Sequence, residues 1–166
     1  MPMNKADVIN YTALGVIHSP FTDAKGTPIQ PPAARGIAGT VELFPEYVEG
    51  LRDLDGFSHV ILLYHFDRAR PSPLLVKPFL DEKERGVFAT RAPSRPNPIG
   101  LSIVRLRRVE GSVLHVEDVD VLDGTPLLDI KPYVPEFDER ASAATGWIRS
   151  RTQHLPEVGD DGRFTL

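Results

Sequence analysis

The sequence contains no cysteine, and that single absence removes disulfide frameworks, thiolate nucleophiles, iron–sulfur ligation and cysteine zinc sites together. Nothing in it calls for an oxidising compartment. No apolar run approaches the roughly 20 residues needed to span a bilayer, and the opening MPMNKADVIN lacks a basic stretch followed by an apolar core. A cytoplasmic location is the expectation, with no membrane partner. No G-x-G-x-x-G follows a strand and opens a helix, no P-loop lysine signature appears, and no G-x-S-x-G elbow is present. Rossmann nucleotide binding, Walker-type ATP hydrolysis and serine-based acyl transfer are therefore all without support. Metal ligands are sparse as well. His59 and His65, if they share a strand, stand about 20 Å apart at about 3.3 Å per residue, and no other pair among His18, His59, His65, His115 and His154 has ligand spacing. No metal site is expected.

What the sequence has in quantity is proline, 16 against 13 glycines in 166 residues. That length fits one domain, and 41% hydrophobic with 25% charged residues is an ordinary globular balance. Proline is excluded from helix interiors and central strand ladders, so its excess predicts short elements joined by stiff, shaped loops and argues against a helical bundle. Residues 13–18 (ALGVIH), 39–44 (GTVELF) and 57–66 (FSHVILLYHF) read as strands, the last a buried one, and Pro45 opens a short helix. Residues 22–36 read as an extended loop, 67–85 as a surface excursion and 86–90 (GVFAT) as a short strand. Ile99, Leu101 and Ile103 share one strand face while Val104 and Leu106 switch parity, which predicts a β-bulge or barrel corner there. A hairpin at Glu110-Gly111-Ser112, a second parity switch between Val116 and Val119, and a turn from Asp123 to Pro126 complete a pattern of short strands and tight turns. The expected fold class is mainly β: a single-domain antiparallel β-barrel, non-Rossmann, with short helices and long proline-rich loops. Residues 1–12 are assigned to an N-terminal lead, 13–153 to the barrel domain and 154–166 to a loosely held tail.

Two segments concentrate the chemistry. In Arg91-Ala-Pro-Ser-Arg-Pro-Asn-Pro-Ile-Gly100 the prolines hold the backbone extended, so Arg95 and Asn97 are presented from a preorganised loop. Arginine offers a planar fork for carboxylate or phosphate, and asparagine both donates and accepts; a solvated surface turn is the competing reading. In Asp120-Val-Leu-Asp-Gly-Thr-Pro-Leu-Leu-Asp-Ile-Lys-Pro-Tyr133, Asp123 beside Gly124 is good turn chemistry. Asp129 and Lys131 alternate with Leu128 and Ile130, so on a strand they project to one face and pair with each other or with a ligand. The net charge of −4 argues against broad polyanion binding, yet Lys77, Lys83, Arg85, Arg91, Arg95, Arg105, Arg107 and Arg108 cluster around these segments and can form a local basic face.

Together with Ile17-His-Ser-Pro20, Pro28-Ile-Gln-Pro31, Leu54-Asp-Gly-Phe-Ser-His59 and Gly86-Val-Phe-Ala-Thr90, these segments resemble the TsaA-like β-barrel family that includes TrmO, the tRNA N6-threonylcarbamoyladenosine methyltransferases. The resemblance covers residues 13 to 137, with an echo at Gly146-Trp147. It implies a homodimer that binds S-adenosylmethionine near its interface without a Rossmann fold. The implied reaction transfers a methyl group to N6 of threonylcarbamoyladenosine, next to the anticodon, so the tRNA anticodon stem-loop is the implied partner. In family terms the cofactor pocket involves Gln30, Pro31, Pro32, Ala33, His65, Phe66, Arg91, Leu101, Asp120, Val121, Leu122 and Asp123. Catalysis falls to Asp129, Asn97, Lys131 and Tyr133. Asp129 is the first candidate to orient or accept the N6 proton, Lys131 or Arg95 to stabilise the carbamoyl oxygen or hold the threonyl carboxylate, and Asn97 and Tyr133 to frame the base. Arg95, Arg85, Lys77 and Lys83 are the candidate RNA contacts. Two other classes stay open: a S-adenosylmethionine-binding barrel acting on another substrate, and a non-enzymatic cofactor-binding sensor or interaction module.

Overall fold

The structure, a computed structural model, describes residues 7–165. Its strands are β1 (Gly15–His18), β2 (Ala38–Leu43), β3 (His59–His65), β4 (Leu75–Val76), β5 (Arg85–Gly86), β6 (Ile99–Glu110), β7 (Val113–Glu117) and β8 (Thr125–Pro132). Six of them close an antiparallel barrel in the order β1–β2–β7–β6–β3–β8, with β8 returning to pair with β1. Closure leaves the barrel itself no open strand edge to template aggregation. The mainly β, barrel-type expectation holds. β4 and β5 form a small ribbon outside the barrel.

Period-two alternation builds the interior. Along β3, Val60, Leu62 and Tyr64 turn inward while His59, Ile61, Leu63 and His65 turn outward. With Ile17, Val41, Val104, Leu114, Val116 and Leu127 they fill the barrel with side chains almost wholly removed from water. Each such burial is worth roughly 1.5–3 kcal/mol.

β6 corrects one expectation. Its burial alternates unbroken, with Gly100, Ser102, Val104 and Leu106 inside and Ile99, Leu101, Ile103 and Arg105 outside. The predicted parity break at Val104 does not occur, because register with β3 runs continuously from His65 opposite Ile99 to His59 opposite Arg105. The apolar row is the outer one; the interior here takes a glycine and a serine instead. The register shift comes later, against β7 between Leu106 and Arg108. The second predicted switch is present: β7 ends at Glu117, Asp118 adopts φ 70°, and its carboxylate accepts from the Gly36 N–H at 2.7 Å. Val119 and Val121 thereby return to the core.

Three further expectations change outside the barrel. Residues 86–90 form no strand of their own: β5 ends at Gly86 and Val87–Ala89 is a 3-10 turn, its geometry held by the Thr90 hydroxyl donating to Val87 O at 2.8 Å. Residues 67–85 are not purely surface, since Val76 joins Val87, Ala92 and Phe164 in a second small core against Phe79. Residues 154–165, expected to be loose, are docked by that same Phe164 and by backbone bonds from Gly26 N–H to Asp160 O at 2.5 Å and from Asp160 N–H to Thr27 O at 2.8 Å. Among the described residues no helix is long and apolar enough to cross a membrane.

Candidate active site

An open pocket of about 1100 Å³ lies where the barrel mouth meets the two proline loops and residues 145–165. Its size suits a nucleoside-sized ligand. One wall starts at Gln30 and the 3-10 turn Pro31–Ala34, whose prolines preset the backbone. Arg91 Nη1 donates to Gln30 Oε1 at 2.8 Å and ties this wall to the second loop. In that second loop Arg95 Nη1 donates to Thr90 O at 3.0 Å and Ala92 O at 3.3 Å, so its guanidinium staples the segment that carries it. At the mouth, the Tyr64 and Phe66 rings meet edge to face at 5.3 Å. A Cβ on Gly100 would stand 2.1 Å from the Tyr64 ring and 2.8 Å from that of Phe66, so only glycine lets both rings settle over β6.

Beneath the rings runs a chain of polar groups. The Ser102 hydroxyl donates to Asp120 Oδ1 at 2.6 Å and lies 2.8 Å from the Tyr64 hydroxyl. Since an ionised carboxylate only accepts, Ser102 gives its proton to Asp120 and its oxygen takes the Tyr64 proton. Burial pushes Asp120 up to about 7, with the Ser102 hydrogen bond and, more weakly, Arg91 pulling the other way. Burial, then the neighbouring Asp120 charge, pushes the Tyr64 phenol up as well. None of the ion pairs among the described residues includes Asp120.

Of the residues singled out from sequence, Gln30, Pro31, Pro32, Phe66, Arg91, Leu101, Asp120, Val121, Leu122, Arg95 and Asn97 line this pocket. Ala33 belongs to the same 3-10 turn but not to the lining. His65 is exposed at the end of β3. Asp123 faces away, accepting from the Ser19 N–H at 3.2 Å with His18 Nδ1 also 3.2 Å distant. Asp129 and Lys131 pair at 2.8 Å on the outside of β8, and that carboxylate raises the lysine pKa. Strand register places Asp129, Leu63 and Leu101 in one outer row and Lys131, Ile61 and Ile103 in the next. At just under 5 Å per strand, Asp129 stands about 10 Å from Leu101 at the pocket edge, while Lys131 is the diagonal neighbour of His59 on β3. Tyr133 lies edge-on to His59, ring centres 6.2 Å apart, and His59 lines the pocket. Much of the basic cluster is neutralised: Arg85 pairs with Asp81 at 2.6 Å, Lys77 with Glu82 at 3.6 Å, Arg107 with Glu117 at 3.3 Å and Arg108 with Glu110 at 2.8 Å. Lys83 is exposed and away from the pocket.

Sequence reasoning missed two parts of the site. One is the Tyr64–Ser102 pair; the usable signal was a serine at an inward position of an otherwise apolar strand. The other is a strap, residues 145–165. Asp81 grips Arg151 at 2.5 Å as well as Arg85. The Arg151 guanidinium foremost, then the Arg85 hydrogen bonds, holds the Asp81 carboxyl well below the usual carboxylate range. The two guanidinium groups stack over Trp147 at 5.8 and 5.1 Å, and its indole N–H donates to Ala89 O at 2.8 Å. Trp147, Leu155 and Phe164 are thereby fixed as pocket wall. Among the described residues no group of three or more His, Cys, Asp or Glu side chains could hold a metal ion.

Residues 16–139 match the family described as the tRNA-methyltransferase O N-terminal domain. The chain belongs to the TrmO family. It is 57% identical over 157 residues to a probable S-adenosyl-L-methionine-binding protein of Pyrococcus abyssi, covering 95% of this chain and 85% of that one. It is 35% identical over 150 residues to the tRNA (adenine(37)-N6)-methyltransferase of Escherichia coli, covering 84% and 64%. A crystal structure of TrmO from Pseudomonas aeruginosa superposes with a TM-score of 0.71 at 41% identity, covering 85% of this chain and 63% of that one. The chain thus spans just under two-thirds of the length of the last two proteins. The strap lies beyond the matched family segment, so one wall of this pocket is built from residues outside that segment.

Proposed function

We propose that this protein is an S-adenosylmethionine-dependent methyltransferase acting on N6 of threonylcarbamoyladenosine beside the anticodon of tRNA, in the cytoplasm and as a homodimer. The observation that carries this reading is a half-buried carboxylate, Asp120, that belongs to none of the ion pairs among the described residues and sits in a pocket of apolar rings and prolines. Such a site fits a ligand that joins a purine to a positive charge. Phe66, Pro31 and Leu101 offer apolar surface to the purine, and Asp120 offers the counter-charge. When bound, the cofactor supplies a methyl group on positively charged sulfur, already activated for displacement.

The chain's own residues then have three tasks. The proline loops and the strap exclude water and hold the acceptor in line, which supplies much of the acceleration in a two-substrate transfer. Arg35 and Arg91 at the pocket rim, with Arg95 and Asn97, present donors to the phosphate, carboxylate and carbamoyl oxygens of the modified nucleoside. Lys131 and Tyr133 extend that polar surface around the outer wall. The acceptor nitrogen has its lone pair delocalised into a carbonyl and a purine, so a group must take its proton. The outer row Ile99, Leu101 and Ile103, 42%, 42% and 37% exposed, supports a second copy covering that face.

Nucleoside mass spectrometry after incubating tRNA with S-adenosylmethionine tests the reading. A methyl group appearing only on threonylcarbamoylated tRNA is the expected result. Equal methylation of tRNA lacking that modification, or none on either, overturns it.

A further inference from the structure

We propose that Asp120 is the acceptor of the N6 proton, with Ser102 and Tyr64 as its positioning residues. The assignment rests on the methyl-transfer reading above and goes beyond it by naming the base. Asp129, the sequence's first candidate, is occupied by Lys131 on the outer wall. Asp120 lines the pocket, is half-buried, and has one oxygen fixed by Ser102 from β6, which is itself bonded to Tyr64 from β3. Arg91, from the proline loop, is the charged side chain that acts on it from across the pocket. The acidic neighbours on its own segment are engaged elsewhere: Asp118 with the Gly36 N–H, Asp123 with His18 and the Ser19 N–H.

The transfer balances as follows. The N6 lone pair forms the N6–CH3 bond, the S–CH3 bond breaks with its electron pair left on sulfur, and the N6 proton passes to the Asp120 carboxylate, which later returns it to solvent. Electrostatics favour this sequence. A positive charge in the loaded pocket keeps Asp120 ionised; once sulfur becomes neutral, burial again favours the protonated acid. The carboxylate thus gains proton affinity as the proton has to land.

Carbon-13 carboxyl NMR of the unliganded protein gives a readout independent of turnover. Asp120 is expected to titrate near 7, and Ser102→Ala, which removes a bond to the charged form, to move the midpoint upward. A midpoint near 4 overturns the proposal. Single-turnover methylation of a threonylcarbamoylated anticodon stem-loop, across pH and at saturating cofactor, supplies the second arm. Asp120→Asn is expected to lower the rate at saturating cofactor by about 100-fold or more, to flatten the rise of rate with pH, and to weaken S-adenosylmethionine more than S-adenosylhomocysteine, which lacks the sulfonium charge. Ser102→Ala is expected to recover its rate at higher pH, which a purely structural defect would not do. A wild-type rate in Asp120→Asn overturns the proton-acceptor role alone, as does a loss that saturating cofactor restores. Wild-type protein that binds S-adenosylmethionine yet leaves the stem-loop unmethylated overturns the substrate reading, and this role with it.

Discussion

Asp120 and Asp129 belong to one continuous motif, yet the barrel wall runs between them. Asp120 sits at the mouth under two aromatic rings, bonded to a neutral hydroxyl, and burial pushes it up to about 7. Asp129 lies on the outside of β8 against an ammonium group. The same side chain is therefore a proton-accepting group in one place and half of a solvent-exposed ion pair in the other. Which is which follows from the chain path: the left-handed Asp118 turns the segment into the mouth, and the Gly124 turn sends it back along the wall as β8. Residue type alone does not separate the two roles; the side of the wall does.

The largest effect expected from this difference is on stability against pH. Asp120 has a folded pKa of about 7, above the roughly 3.9 of an unfolded aspartate. Between these values the folded state holds a proton that the unfolded state has lost, so stability falls as pH rises from about 4 to about 7. Chemical denaturation across that window is expected to show a loss on the order of 3 kcal/mol assignable to this group, and Asp120→Asn to abolish it. An unchanged slope in the variant would erase the distinction between inside and outside.

Gly100→Ala comes next. Its Cβ would collide with both rings that roof Asp120, and overpacking of this kind costs about 1–3 kcal/mol. Urea denaturation should register that loss, with the Asp120 NMR midpoint moving as Tyr64 is displaced. Smaller again is Trp147→Ala, which removes the ring that Arg85 and Arg151 both lie against and with it part of the strap's hold on the pocket. Calorimetry should find S-adenosylhomocysteine bound about tenfold more weakly, or about 1.4 kcal/mol. Unaltered affinity would mean that the strap encloses the pocket without shaping it.

The barrel itself was legible from alternation and turn chemistry: β3, the Gly111 and Gly124 turns and the Val116-to-Val119 switch all follow from local rules. β6 misled because its most apolar row, Ile99, Leu101 and Ile103, faces outward; hydrophobicity pointed to the wrong side, and only pairing with β3 resolves it. The proline loops were legible as preorganised, and both do line the pocket. What sequence could not supply was depth. Tyr64 and Ser102 come from different strands, and Asp81 meets Arg151 across 70 residues of chain, so neither contact has a local signature. Arg85 shows the cost of that blindness, since a basic residue beside a recognition loop looks available until its carboxylate partner is known.

The smallest expected effect is the sharpest probe of the comparison. Asp129→Asn removes the half of an exposed ion pair that stands about 10 Å from Leu101 at the pocket edge, and exposed pairs contribute little to stability. Thermal melting should be unchanged, and the Asp120 carboxyl should titrate where it does in the wild type, because a screened charge across the wall barely reaches it. Single-turnover methylation should fall by less than about tenfold and keep its rise with pH, since general-base losses are typically 100-fold or more. If Asp129→Asn instead flattened that profile while Asp120→Asn left it intact, proton transfer would belong to the outer wall. The pocket at the mouth would then hold the cofactor alone, and the substrate base would have to reach around the edge of β3 to meet it.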